Sequence, residues 1–145
     1  MLDKMTVREW MSSPVLTIHP ESPISLAHTT MKEGKVRRLA VVNDEDHLVG
    51  IITIGDVREA SPSDATTLSI WELNYLWAQL TVGKIMSHDV ITIKPNESIF
   101  EAAKLMLDHK ISGLPVIDEA GQLCGVITES DIFRMVVRLG AAETS

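Results

Sequence analysis

The sequence predicts an α+β fold made of two β-α-β-β-α repeats packed about a pseudo-twofold axis. Two observations predict it. Sliding residues 7–60 forward by 75 positions lays them on residues 82–135 without a gap, and 18 of the 54 pairs are identical. Within each copy, short apolar runs alternate with stretches of helical period. A constant offset of that length marks a duplicated structural unit. Each copy is too small to hold a robust core of its own, since domains near 60 residues bury only about 60% of their unfolded surface. The pair is therefore expected to be the folding unit.

The elements follow in the same order in each copy. A short turn or helix over 7–11 or 82–86 leads to an apolar run, VLTI (15–18) or VITI (90–93). Pro20 and Pro95 stop these runs by withdrawing a ladder donor. A helix comes next. Ser98 and Glu101 have capping-box spacing ahead of Ile99, Ala102, Ala103, Leu105, Met106 and Leu107. In the first copy Pro23 suits the opening turn, before Ile24, Leu26, Ala27 and Met31. Gly34 offers the left-handed stop, where the second copy has His109.

Two apolar strands joined by a polar turn come after each helix: LAVV (39–42) with LVGIIT (48–53), and LPVI (114–117) with LCGVIT (123–128). Their near-continuous apolarity predicts burial on both faces. A closing helix is expected to start near Asp56 or Asp131, the second carrying Ile132, Phe133, Val136, Val137 and Leu139.

The repeats span 1–60 and 82–140, with a linker over 61–81 and a tail over 141–145 that is expected to fray. In the linker, SPSDATT reads as a turn. Ser69 and Glu72 then cap a helix with Ile70, Leu73, Leu76, Trp77 and Leu80 at helical intervals. Trp71, Tyr75 and Trp77 give that helix more apolar surface than a tether needs. It can pack on its own repeat or form a dimer contact, since aromatics are enriched in interfaces.

Composition narrows the function classes. A formal charge of −7 over 145 residues argues against phosphate-backbone binding, so no nucleic acid partner is expected. No stretch approaches the ~20 apolar residues of a membrane span, and the charges in MLDKMTVREW do not suit a signal peptide. A single cysteine, Cys124, excludes an internal disulfide and reads as a buried inert thiol, consistent with a cytoplasmic protein. His19, His28, His47, His88 and His109 are scattered without metal-ligand spacing, so no metal is expected. No nucleophile–base grouping, P-loop or dinucleotide fingerprint stands out, and no enzymatic activity or catalytic residue is expected. The seven methionines fit core filling, with Met11/Met86 and Met31/Met106 at equivalent positions.

Two patterns hold chemistry. Gly50-Ile-Ile-Thr53-Ile-Gly-Asp56 and Gly125-Val-Ile-Thr128-Glu-Ser-Asp131 repeat Gly-apolar-apolar-Thr-x-x-Asp. At a strand-to-helix junction Thr-x-x-Asp is a capping box that needs no ligand. The same acid can accept both hydroxyls of a ribose, as in dinucleotide-binding folds. Spacing leaves both readings open. Lys32, Lys35, Arg37 and Arg38 form a basic cluster in an acidic chain, which suits a solvated helix end.

The repeated T-I-x-P runs (Thr17–Pro20, Thr92–Pro95), the segment HKISGLPVID (109–118) and the two G-[IV]-I-T-x-x-D segments, in order and at one offset, resemble a tandem pair of cystathionine β-synthase (CBS) domains, the Bateman module. The linker REASPSDATTLSIWELNYLWAQL (58–80) resembles that of acetoin-utilisation-type CBS proteins. The resemblance implies a regulatory module that binds an adenosine-containing ligand (AMP, ADP, ATP or S-adenosylmethionine) in a cleft between the repeats and signals to a partner protein. It implies no required cofactor, and pairing into a homodimer.

By position, the resemblance assigns one site to Asp56 and Thr53, for ribose and phosphate, with Ile51, Ala102, Ile111, Ser112 and Gly113 around the adenine. Arg37 and Arg38 fall where basic residues face the phosphate. A second site would use Asp131, Thr128, Val126, Ser22, Ala27 and Val36. Ser112 and Gly113 leave room for a purine, whereas their counterparts Arg37 and Arg38 would crowd one, so the site at Asp131 is expected to be weaker or empty. The alternative is an interaction scaffold that needs no ligand.

Overall fold

In the computed structural model, residues 2–13, 15–60 and 69–144 are described, and the expected turn over 61–67 lies outside them. A 3-10 turn (Leu2–Lys4) and α1 (Val7–Trp10) precede β1 (Thr17–Ile18), α2 (Ile24–Gly34), β2 (Arg38–Val42), β3 (Leu48–Thr53) and α3 (Ile54–Ala60). Then follow α4 (Ile70–Gln79), α5 (Val82–Ile85), α6 (Ile99–His109), β4 (Gly113–Ile117), β5 (Leu123–Thr128) and α7 (Glu129–Thr144). The mixed helix and strand content is that of an α+β fold.

The chain divides into two compact units that cut across the sequence repeats. One holds residues 16–90, the other residues 1–15 and 91–145. Each unit thus takes the leading segment of the other repeat. The reason is visible at two glycines. Ser87 exchanges backbone hydrogen bonds with Ile51 (3.0 and 2.9 Å), and Ser12 does the same with Val126 (2.8 and 3.1 Å). A Cβ on Gly50 would stand 2.5 Å from the Met86 sulfur, and one on Gly125 2.7 Å from that of Met11. The repeated Gly and repeated Met are two sides of one contact.

In the first unit β1 pairs in parallel with β2, and β2 pairs antiparallel with β3. The other unit has the antiparallel pair β4–β5 alone, and its leading run is reduced to a bridge between Ile93 and Val116. The predicted first strand of the second repeat is therefore one residue. β2 and β4 are buried almost throughout, but β3 and β5 alternate, against the expectation of burial on both faces. Their outward residues are the price of half-covered antiparallel ribbons.

Each unit has its own core. Ile24, Ala27, Met31, Leu39, Val41, Ile52, Val57 and Val82 fill the first; Val7, Ile99, Ala102, Met106, Leu114, Val116, Ile127 and Met135 fill the other. Most of these stand at matched positions of the repeat. Helix α4 packs on the first core through Trp77, whose ring meets His28 edge-on with centroids 6.2 Å apart. Trp71 and Tyr75 face outward and stay exposed.

Several helix ends differ from expectation. The residue at positive φ is Lys35 or Lys110 (φ 55° in both), one past Gly34 and His109. Gly34 remains helical, and a Cβ there would run into the Leu16 side chain. Pro23 is the N-cap of α2, with the helix starting at Ile24. Helix α7 runs from Glu129 through Thr144, with two alanines in its last turns. It buries Asp131 and Met135, one turn apart, and leaves Phe133, Val136 and Val137 exposed. Cys124 is half-buried, not buried.

Candidate ligand site at the Thr-x-x-Asp turns

Strand β3 runs directly into α3, and β5 into α7, so Thr53 and Thr128 are the caps and the acids fall at the third helical position. The helices thus begin two residues before the expected Asp56 and Asp131. Asp56 Oδ2 accepts from the Thr53 amide (2.9 Å), and Thr53 Oγ1 accepts from the Asp56 amide (3.1 Å). The Thr128–Asp131 turn repeats this at 2.9 and 3.4 Å. Both turns are reciprocal capping boxes.

The second acid carries more. Asp131 Oδ2 also accepts from the Thr128 hydroxyl at 3.1 Å. Its Oδ1 accepts from Ser12 Oγ at 3.1 Å and from Arg134 Nη1 at 2.7 Å. Asp131 is 3% exposed, and among the described residues it is the one buried charged side chain. Asp56 is half-buried, and among the described residues its Oδ1 meets no donor. The offset of 75 explains the contrast, because Arg134 corresponds to Glu59. The acid pair is alike in sequence and unlike in surroundings.

The segment before each sheet ribbon closes over the same turn. The Ile54 amide donates to the Arg37 carbonyl at 2.9 Å, and Arg38 stands opposite Thr53 across the ladder. In the other unit the Glu129 amide donates to the Ser112 carbonyl at 3.0 Å, with Gly113 opposite Thr128. Arg37 is exposed and Arg38 half-buried, so the basic pair flanks the turn that holds the less engaged acid.

The first unit therefore groups Ile51, Thr53, Asp56, Arg37 and Arg38, and it also carries Ser22, Ala27 and Val36. The other unit groups Ser112, Gly113, Val126, Thr128 and Asp131, with Ile111 just before them and Ala102 in α6. Ala102 and Ala27 are wholly buried in the cores of their own units. Sequence reasoning missed Ser12 and Arg134. The opposite charges of Arg134 and Glu59 at one repeat position were the available signal.

Among the described residues no group of three or more His, Cys, Asp or Glu is placed to hold a metal ion. None of the described helices is long and apolar enough to cross a membrane. Burial, followed by the Asp118 charge, pushes the Cys124 thiol up from its ordinary value.

Comparison with known proteins adds to this geometry. A family model described as "CBS domain" matches residues 7–63 and 82–138. A CBS domain-containing protein of Dictyostelium discoideum is 31% identical over 136 residues, covering 94% of each chain. Other relatives are longer: the chain spans 25% of a homoserine O-acetyltransferase from Methanococcoides burtonii, at 36% identity. Among solved structures, the CBS domain pair of protein MJ0100, in complex with 5′-methylthioadenosine and S-adenosyl-L-methionine, superposes with a TM-score of 0.74 at 29% identity. It covers 91% of this chain and 95% of that one. CBSX2 in complex with AMP gives 0.79 at 25% identity, covering 94% and 98%; CBSX2 is a protein of Arabidopsis thaliana.

Proposed function

The chain belongs to the CBS domain family, as a tandem pair, and from that premise we propose that it is a non-catalytic regulatory module for an adenosine-containing ligand. Asp56 is the ribose acceptor in this reading. The observation that carries it is the Asp56 carboxylate itself: one oxygen is spent on the cap, and the other meets no donor among the described residues. A carboxylate offers about four lone-pair sites, enough to cap a helix and hold a diol together. Arg37, exposed beside the same turn, is the phosphate partner, because a guanidinium fork matches phosphate oxygens. Thr53 completes this half of the site, with Arg38 opposite it across the ladder; the Ile51 backbone is already paired with Ser87. AMP and S-adenosylmethionine, bound by the two solved relatives, are the first ligands to try.

Binding is tested by thermal shift with AMP, ADP, ATP and S-adenosylmethionine. Ligand at 100 times its dissociation constant stabilises a one-site protein by about 2.7 kcal/mol. The Asp56→Ala variant should lose that shift. No shift in the parent protein with any of the four would favour the ligand-free scaffold instead. The cargo can also be read directly, by mass spectrometry of small molecules released from denatured protein.

A second element of the proposal is a homodimer that relays the ligand state to a partner protein. It is supported by apolar side chains left facing outward: Trp71 and Tyr75 on α4, Phe133 and Val137 on α7. Large exposed apolar patches mark interaction surfaces. Light scattering at micromolar concentration should give twice the chain mass, and a monomer would defeat this element. The free cysteine suits a cytoplasmic setting.

A further inference from the structure

We propose that Asp131 is an internal tether closed to ligands, and that an arginine three residues after the acid is what closes it. The closure stands on geometry; its consequence for ligand number rests on the reading of Asp56 as a ribose acceptor. Asp131 receives four donors on two oxygens: the Thr128 amide and hydroxyl on Oδ2, and Ser12 Oγ and Arg134 Nη1 on Oδ1. A carboxylate has about four lone-pair sites, so none is left for a diol. The shortest bond, 2.7 Å from the guanidinium, is charge-assisted and belongs to the stronger class.

Opening that carboxylate has a second cost. Ser12 belongs to the leading segment, which is held on β5 by the Ser12–Val126 backbone pair and by the Ser12 hydroxyl on Asp131. A ligand on Oδ1 would compete with the side-chain half of that attachment. Among its described residues the first unit shows no such lock. Its leading serine, Ser87, makes the equivalent backbone pair with Ile51, and among the described residues it sends no hydrogen bond to Asp56. Position 59 holds glutamate, whose charge repels a second acid where Arg134 attracts one. One repeat therefore keeps its acid for a ligand and the other spends it on the fold.

Two measurements on the full chain test this. Amide hydrogen exchange should rise at least tenfold at Ser12 and Val126 in Asp131→Ala, and stay at the parent rate in Asp56→Ala. Unchanged exchange at Ser12 in Asp131→Ala overturns the tether. Transplanting the lock as Glu59→Arg should weaken AMP binding several-fold in equilibrium dialysis, the scale of a partly exposed ion pair, while the thermal midpoint is kept. Parent-like AMP binding by Glu59→Arg overturns the closing role of the arginine, as does loss of a bound nucleotide on Asp131→Ala. If the parent chain binds none of AMP, ADP, ATP and S-adenosylmethionine, the ribose reading fails by itself, and the exchange rates still decide the tether.

Discussion

Arg134 donates to Asp131 across 2.7 Å, one helical turn apart on α7, with the guanidinium largely in solvent and the carboxylate almost wholly out of it. That asymmetry sets the energetics. The exposed cation loses little on its own, since surface ion pairs contribute about 0–1 kcal/mol. The buried acid is costlier to remove, because Ser12 and Thr128 depend on it.

Asp131→Ala should therefore destabilise by about 1–3 kcal/mol, the range for leaving buried donors unpaired. Asp56→Ala removes one hydrogen bond at a half-exposed cap and should cost about 0.5–1.5 kcal/mol. Arg134→Ala should cost less than Asp131→Ala. Urea unfolding of the three variants ranks them, and a larger loss for Asp56 than for Asp131 would contradict the structure.

Much of this was legible in the chain. The offset of 75 located the repeats, and periodicity found α2, α6 and both sheet ribbons, because buried apolar positions at matched places leave a direct trace. The Thr-x-x-Asp turns were legible as caps by spacing. The exchange of leading segments was not: Ser12 and Met11 are local in sequence to one repeat yet pack on the other, a long-range choice that composition does not encode. The inequality of the two acids was half legible. Arg134 against Glu59 is printed in the sequence, but only helix geometry brings Nη1 onto Oδ1.

The glycine–methionine contact gives a prediction of opposite signs. A Cβ at Gly125 would meet the Met11 sulfur at 2.7 Å and the Ser12 carbonyl oxygen at 2.9 Å, and Gly50 faces the same pair in Met86 and Ser87. The methionine can swing away but the carbonyl is fixed by its ladder bond. Gly125→Ala and Gly50→Ala should each lose about 1–3 kcal/mol, the usual cost of overpacking. Gly140→Ala, in α7 with nothing within 4 Å of its new Cβ, should gain about 0.5–1 kcal/mol. Thermal midpoints of the three variants settle the signs.

Lysine holds the left-handed position after α2 and after α6, with φ 55° in both copies. A side chain there costs about 1–2 kcal/mol relative to a right-handed residue, and glycine escapes most of it. Lys35→Gly and Lys110→Gly should each stabilise the fold by several tenths to about 1 kcal/mol, after the entropy glycine adds to the unfolded chain. Neither lysine makes an ion pair within 4.0 Å among the described residues, so little opposes the gain. Lower urea midpoints in these variants would mean that the side chains do more than occupy the turn.

The half-buried Cys124 thiol is raised, by burial first and by the Asp118 charge second, so the folded chain holds the thiol proton more tightly than the unfolded one. The sign follows from linkage. The thiol's contribution is fully present below the unfolded value, about 8.5, and is lost as pH climbs from there through the folded value. Stability should therefore fall across the alkaline range more steeply in the parent than in Cys124→Ala, measured as urea midpoints at pH 7 and pH 10. Iodoacetamide at pH 8.5 should label the folded chain more slowly than the chain in urea, because thiolate is the reacting form. Equal labelling rates in the two states would show that the site does not restrain the thiol.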